Sequence, residues 1–256
     1  INDDGAYGKG YFLKFGKFYD EGNYVKDYLN GNNNLSINLD KKTVYYGQTT
    51  ADAVFSGKAW FANKSHDLYN GTYKEGKFTG EGWRIDKNGY LIKGTWEDGQ
   101  IVKLVQLVDE KGRVVNTNPK TLSEALATVS KDYKTEFFST EGGDDDSYRY
   151  SWMIDLYKGL ITFPGSEDNL IGGDLDEYYY YIVQYDPGSD DATAKKKYKA
   201  LCQQVKAASV VLQNGVPPVK LTGTVTEPGD DISFTASSFT YPAATKGFEN
   251  FAVTVL

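Results

Sequence analysis

Histidine, cysteine and methionine each occur once in this chain, and arginine occurs three times, at Arg84, Arg113 and Arg149. Each scarcity removes a class of chemistry. A single histidine, His66, is the one imidazole that the usual nucleophile–base arrangements could use as a base, so at most one such site is possible. It also rules out three-histidine metal sites and zinc-protease helices. A lone cysteine, Cys202, allows neither an intrachain disulfide nor a cysteine-based zinc site. With three arginines, 25 of the 28 basic residues are lysines, and the forked donors that read phosphate and base edges are nearly missing.

Charge of one sign is also short. The net charge is −7; residues 1–118 carry +1 and residues 119–256 carry −8. Neither part has the basic footprint that nucleic acid requires. No run of 18 or more apolar residues occurs, so no segment has the length and apolarity of a membrane-spanning helix.

What the chain has in excess is aromatic, with 21 tyrosines, 13 phenylalanines and 27 glycines. They are ordered. From Tyr69 to Gly99, a shift of 23 residues places Tyr69 on Ile92, Gly71 on Gly94, Tyr73 on Trp96 and Gly76 on Gly99. The same step places Trp60 on Trp83, Gly57 on Gly80, and Asp86 and Gly89 on Asp109 and Gly112. A period in the twenties signals a repeat architecture.

Each unit reads as a hairpin. Tyr69, Gly71 and Tyr73 alternate, so in a strand they share one face, and the glycine leaves a gap that a neighbouring ring can fill. Asn88-Gly89 and Asp98-Gly99 are two-residue hairpin turns by composition, with Glu75-Gly76 and Lys111-Gly112 in equivalent places. The expected outcome is a twisted antiparallel meander, about one hairpin per repeat.

This series resembles MORN repeats (membrane occupation and recognition nexus). Tyr69, Gly71, Tyr73, Gly76, Gly80, Gly82 and Gly89 match that pattern in order, with Tyr73 in place of the usual Trp. Partial copies precede it (Gly57, Trp60) and follow it (Ile92, Gly94, Trp96, Gly99), so the resemblance covers residues 46–115. Worn versions of the theme occupy residues 1–50, where Gly22-x-Tyr24 is similar to Gly71-x-Tyr73. The resemblance implies a rigid sheet that serves as a spacer or docking surface for protein.

Asn116-Thr117-Asn118-Pro119 is a polar break, giving two expected domains, 1–118 and 119–256. Thr121 and Glu124 form a capping-box pattern that starts a short helix. A second, longer helix is expected from about Asp190 to Ala208, with Tyr198, Leu201, Cys202 and Val205 on its apolar stripe and Ser189 or Asp190 as its cap. Strand-like runs in this part are Thr135–Ser139, Tyr148–Leu156, Leu160–Phe163, Glu177–Tyr185, Val219–Val225, Ile232–Phe239 and Phe251–Leu256. The expected fold class is mostly β, α+β: a MORN-like meander, then an α+β domain with an antiparallel sheet and one main helix.

The candidate binding residues are aromatic: Trp60, Tyr69, Tyr73, Trp83, Trp96, Tyr179 and Tyr181. In the bland reading the first five build the packed face of the meander, and Tyr179, Tyr181 and Tyr185 flank a core strand. In the functional reading they form a partner groove or a stacking platform for sugars. Four acidic runs, Asp144–Asp146, Asp174 to Glu177, Asp190-Asp191 and Asp230-Asp231, read as solvated loops, since calcium loops need a longer alternation of oxygens.

No catalytic residue, cofactor or metal is implied. The expected role is a non-catalytic scaffold or protein-interaction module. Behind it stand a carbohydrate-binding envelope protein and, third, a carboxylate-dependent hydrolase in residues 119–256. The chain begins at Ile1 rather than Met, and we expect a bacterial protein exported to the periplasm or cell surface after signal removal, with the cytoplasm as the alternative.

Overall fold

The computed structural model describes residues 5–50, 54–65, 67–144, 153–174, 178–185, 190–213, 215–229 and 235–256. The chain divides into two compact units, Ile1–Val115 and Asn116–Leu256.

The first unit is one ten-stranded antiparallel sheet. Its strands are β1 Gly8–Lys14, β2 Phe18–Val25, β3 Tyr28–Leu29, β4 Gly31–Asn38, β5 Thr43–Thr49, β6 Phe55–Ala62, β7 Leu68–Lys74, β8 Lys77–Ile85, β9 Leu91–Glu97 and β10 Gln100–Val108. Each strand pairs with the next along the chain, apart from β3, which pairs β2 at the side. This is the meander expected from the 23-residue step, and residues 8–49 belong to the same sheet.

The hairpins close differently at the two ends. At one end lie two-residue turns with both central residues at positive φ: Lys26-Asp27, Glu75-Gly76 and Asp98-Gly99. At the other end the loops are longer. Asp86 Oδ1 accepts the amides of Asn88 and Tyr90 at 2.9 Å each, and only Gly89 takes positive φ (85°). Asn88-Gly89 is therefore not a two-residue turn: Lys87 and Asn88 are the central pair, and the side chain of Asp86 closes the loop. One step on, Asp109 Oδ1 accepts from Lys111 and Arg113 at 3.0 and 2.9 Å. One step back, Asn63 Oδ1 accepts from Ser65 and Asp67 at 3.0 Å each. Asn63, Asp86 and Asp109 are the same turn in three copies.

The second unit is α+β. Helix α1 (Leu122–Asp132) starts at the Thr121–Glu124 capping box, with both reciprocal hydrogen bonds made. A four-stranded antiparallel sheet follows in the order β11 Glu141–Asp144, β12 Met153–Gly159, β13 Asp168–Asp174 and β14 Tyr179–Gln184. Helix α2 (Asp191–Ala207) is capped by Asp190, whose carboxylate accepts from the amides of Ala192 and Thr193. Two short ribbons complete the unit, β15 Ser209–Val210 with β16 Val219–Lys220 and β17 Ser237–Thr240 with β18 Ala252–Val255.

Among the described residues, two expected strands are absent, and a strand forms where none was expected. Thr135–Ser139 is not a strand: Tyr133–Thr135 and Phe138–Thr140 are 3₁₀ turns around Glu136 and Phe137 in the left-handed region. The buried Asp132 carboxylate fixes them, accepting from Thr140 Oγ1 at 2.7 Å and from Thr135 Oγ1. Leu160–Phe163 is not a strand either, because the Ile161 amide and carbonyl bond the Tyr181 hydroxyl instead of a ladder. Asp168–Asp174 pairs in the sheet although its Asp, Asn and Gly content argues against a strand; tertiary pairing outweighs propensity there.

Candidate functional site

Strand alternation divides the meander into two unlike faces. On one, Tyr45, Tyr73, Phe78, Ile92, Trp96, Ile101 and Leu107 are all buried. Rings join it up: Tyr45 stacks on Phe55 at 3.7 Å, Tyr73 meets Phe78 at 5.5 Å, and Phe78 meets Trp96 at 4.9 Å. The glycines of the repeat make room for them. A Cβ on Gly71 or Gly82 would overlap the Phe78 ring, and one on Gly94 would overlap the Lys103 carbonyl. Arg84 lies on this face as well, its guanidinium 5.7 Å above the Trp96 ring. Burial raises the hydroxyl pKa of Tyr45 to about 12, and burial raises those of Tyr69 and Tyr73 as well. These tyrosines are neutral packing groups at any ordinary pH. The Tyr73 hydroxyl is buried with no hydrogen-bond partner among the described residues.

The opposite face is open, and Trp60 and Trp83 stand on it rather than on the packed face. The register decides this. Phe61 pairs with Tyr69 on the packed side, so Trp60, one residue earlier, points the other way and pairs with Asn70, which in turn pairs with Trp83. Tyr46 pairs with Trp60 from the other side. Trp60 is 45 % exposed and Tyr46 47 %, while Trp83 is half-buried against the edge of Trp60, their rings 5.3 Å apart at 83°. The two tryptophan positions of the repeat thus have opposite fates: the Trp60/Trp83 position faces out, and the Tyr73/Trp96 position faces in.

Beside this aromatic row runs an apolar one. Leu13 pairs with Tyr19, Tyr19 with Ile37, Ile37 with Val44, and Val44 with Ala62. The line continues from Ala62 to Leu68, Ile85, Leu91 and Val108. It crosses nine strands, about 38 Å at normal strand spacing, and its one polar group is the Tyr19 hydroxyl, which donates to Glu21 Oε2 at 2.6 Å. All nine side chains are half-buried or exposed, Leu13 at 60 % and Val44 at 42 %.

This row is written in the repeat: Ala62, Ile85 and Val108 are one step apart, as are Leu68, Leu91 and Val114. Each such pair flanks one of the Asn/Asp-closed loops. The 23-residue step could have found them, but aliphatic residues matched across a step attract less notice than tryptophan and glycine.

The loops bordering the apolar row are basic. Lys14, Lys17, Lys41, Lys42, Lys64 and Lys87 are exposed there, and Lys41, Lys64 and Lys87 again follow the 23-residue step. The acids at this end are mostly engaged in the fold. Asp67 and Asp86 are buried turn acceptors, Asp109 bonds Arg113 at 2.6 Å and Glu110 lies 3.7 Å from Lys111, while Asp40 is exposed beside Lys41. The described loops at the other end carry Asp27, Glu75, Glu97 and Asp98 with Lys26, Lys74 and Lys77, a balanced set.

In the second unit, Tyr181 is a core residue. Its hydroxyl donates to the Ile161 carbonyl at 2.5 Å, its ring meets Phe163 at 5.7 Å and Phe137 at 5.9 Å, and burial raises its pKa. Tyr179 is 45 % exposed. Asp190 serves as the cap of α2. His66, Asp145, Asp146, Asp176, Glu177, Asp230, Asp231 and Ser189 lie outside the described residues. Among the described residues, no three His, Cys, Asp or Glu side chains gather as a metal site would require. No described helix is long and apolar enough to cross a membrane.

The chain matches no protein-family model and no curated protein.

Proposed function

We propose that this protein is a non-catalytic interaction module whose MORN-like repeat sheet is the docking surface, and that the partner is a protein. One observation carries the reading: the repeat seals one face of the sheet with its own rings and leaves the other with a continuous apolar row beside Tyr46, Trp60 and Trp83. Apolar surface of that extent, rimmed by polar residues, marks interaction sites. Tyr and Trp are the side chains that dominate interface energies. Of the seven aromatic candidates, Trp60, Trp83 and Tyr179 are within a partner's reach, while Tyr73 and Trp96 act through the stiffness of the sheet beneath.

The edge-to-face setting of Trp60 and Trp83, at 83°, favours protein over sugar, because sugar faces stack best on coplanar rings. The test is photo-cross-linking. A benzoylphenylalanine is placed at Trp60 or Trp83, and for comparison at Lys74 in the balanced loops, in the producing cell. Discrete protein adducts at the first two positions and none at Lys74 support the docking reading. Adducts equal at all three, or none at any, contradict it.

A further inference from the structure

The open face does not have the same border on both sides, and the difference specifies what fits it. Along one side of the apolar row run the exposed lysines of the Asn/Asp-closed loops; along the other runs the aromatic row, broken by Glu21, Asn70, Lys93 and Gln106. We infer that the docked segment is an acidic amphipathic helix, lying across the strands with its apolar stripe on the Leu13-to-Val108 row and its carboxylates against Lys41 and Lys64. The inference rests on the docking reading and adds the chemistry and direction of the partner.

Three features support it. The row is one residue wide and about 38 Å long, the span of about seven helical turns or 25 residues. An apolar stripe laid in a groove or on a sheet face is the ordinary way an amphipathic helix binds. The charge is complementary on one border only, so a helix with acids along one edge of its stripe has a single favoured orientation. Finally, two of the acids at this end are held inside the fold, which leaves Asp40 as the exposed carboxylate beside Lys41 and Lys42, with Glu110 paired to Lys111. Asp67 Oδ1 accepts the Lys87 amide at 3.1 Å and Asp86 accepts two amides, so these carboxylates are turned inward and the basic border is kept.

An anionic bilayer offers apolar and negative groups too, but it would cover the whole face. Asn70, Thr72, Glu81 and Lys93 share that face and would lose their hydration against hydrocarbon. A helix covers the row and leaves them wet.

The experiment uses the full chain and three synthetic peptides of about 25 residues, the span of the row. The first carries a leucine stripe bordered on one edge by glutamates, the second the same stripe bordered by lysines, and the third a scrambled version of the first. Binding is read by calorimetry and by tryptophan emission. The expected result is binding of the glutamate-bordered helix at least about tenfold tighter than the lysine-bordered one, weakening as salt rises. The Lys41→Glu/Lys64→Glu variant should lose about tenfold for the acidic helix, and Lys26→Glu/Lys74→Glu at the other loop end should lose nothing. Val44→Asp, at an exposed position, should weaken both bordered helices while the far-ultraviolet dichroism stays unchanged.

Equal affinity for the two bordered helices overturns the inference, as does equal loss in the two lysine variants. So does binding to vesicles of phosphatidylcholine and phosphatidylglycerol without binding to the acidic helix, which would assign the face to a bilayer. If the acidic helix fails while cross-links still form at Trp60 and Trp83, docking stands and this occupant is wrong; if both fail, both readings fall.

Discussion

Tyr73 shows how a repeat position can be filled by a residue whose chemistry is unused. Its ring is packed among Tyr45, Phe61 and Phe78, while its hydroxyl is buried without a hydrogen-bond partner among the described residues. An unpaired buried hydroxyl costs stability, and removing it costs nothing in packing. Tyr73→Phe should therefore leave the melting temperature unchanged or raise it, by about 0–1 kcal/mol in stability; a loss of more than about 1 kcal/mol would show that the hydroxyl is bonded.

At Asp109 the balance is the reverse. Burial alone would raise its carboxyl pKa, but the bonds from the Arg113 side chain and from the Arg113 and Lys111 amides outweigh it and hold the pKa below the usual range. A pKa lowered by folding gives stability that is present above the unfolded value, about 3.9, and lost as pH falls through the folded value. Asp109→Asn keeps the turn oxygen and removes the charge. It should cost about 1 kcal/mol at neutral pH and nothing in strong acid, and parallel stability–pH curves for the two proteins would contradict the assignment.

At the scale of the element, the glycines set the face. Gly82 faces the Phe78 ring, and an added Cβ would also come within 2.7 Å of the Asn70 carbonyl. Gly82→Ala should destabilise the sheet by about 1–3 kcal/mol, the usual cost of overpacking, measured by denaturant midpoint. Gly99, in a two-residue turn with open space at its Cβ, needs glycine for its φ of 91° instead.

Much of this was legible beforehand. Tyr69-x-Gly71-x-Tyr73 announced a shared face with a gap for a ring, and Phe78 fills it. The Thr121–Glu124 box and the α2 stripe of Tyr198, Cys202 and Val205 were equally plain. The outward turn of Trp60 and Trp83 was not. It depends on strand parity through β-bulges such as the one between Gly71 and Thr72, and composition does not carry parity. Asp132 with its two threonines, and Tyr181 with Ile161, were hidden for another reason: each is a side-chain–backbone or side-chain–side-chain bond that replaces a ladder over a short stretch.

For the molecule as a whole, a 23-residue step has produced a repeat unit, and a second unit of different character follows it along the chain. The repeat unit carries a net charge near zero that is unevenly placed, lysines beside the apolar row and a balanced set at the other loop end. The second unit holds most of the negative charge and the two helices. The docking surface depends on the two tryptophan positions of the repeat facing opposite ways. Acrylamide quenching of single-tryptophan variants tests it directly, with the other tryptophans, Trp152 included, changed to phenylalanine. The protein retaining Trp60 should be quenched several-fold more strongly than the one retaining Trp96, since Trp60 is 45 % exposed and Trp96 2 %. Equal quenching, or stronger quenching of Trp96, would place the open face on the wrong side of the sheet and remove the docking surface with it.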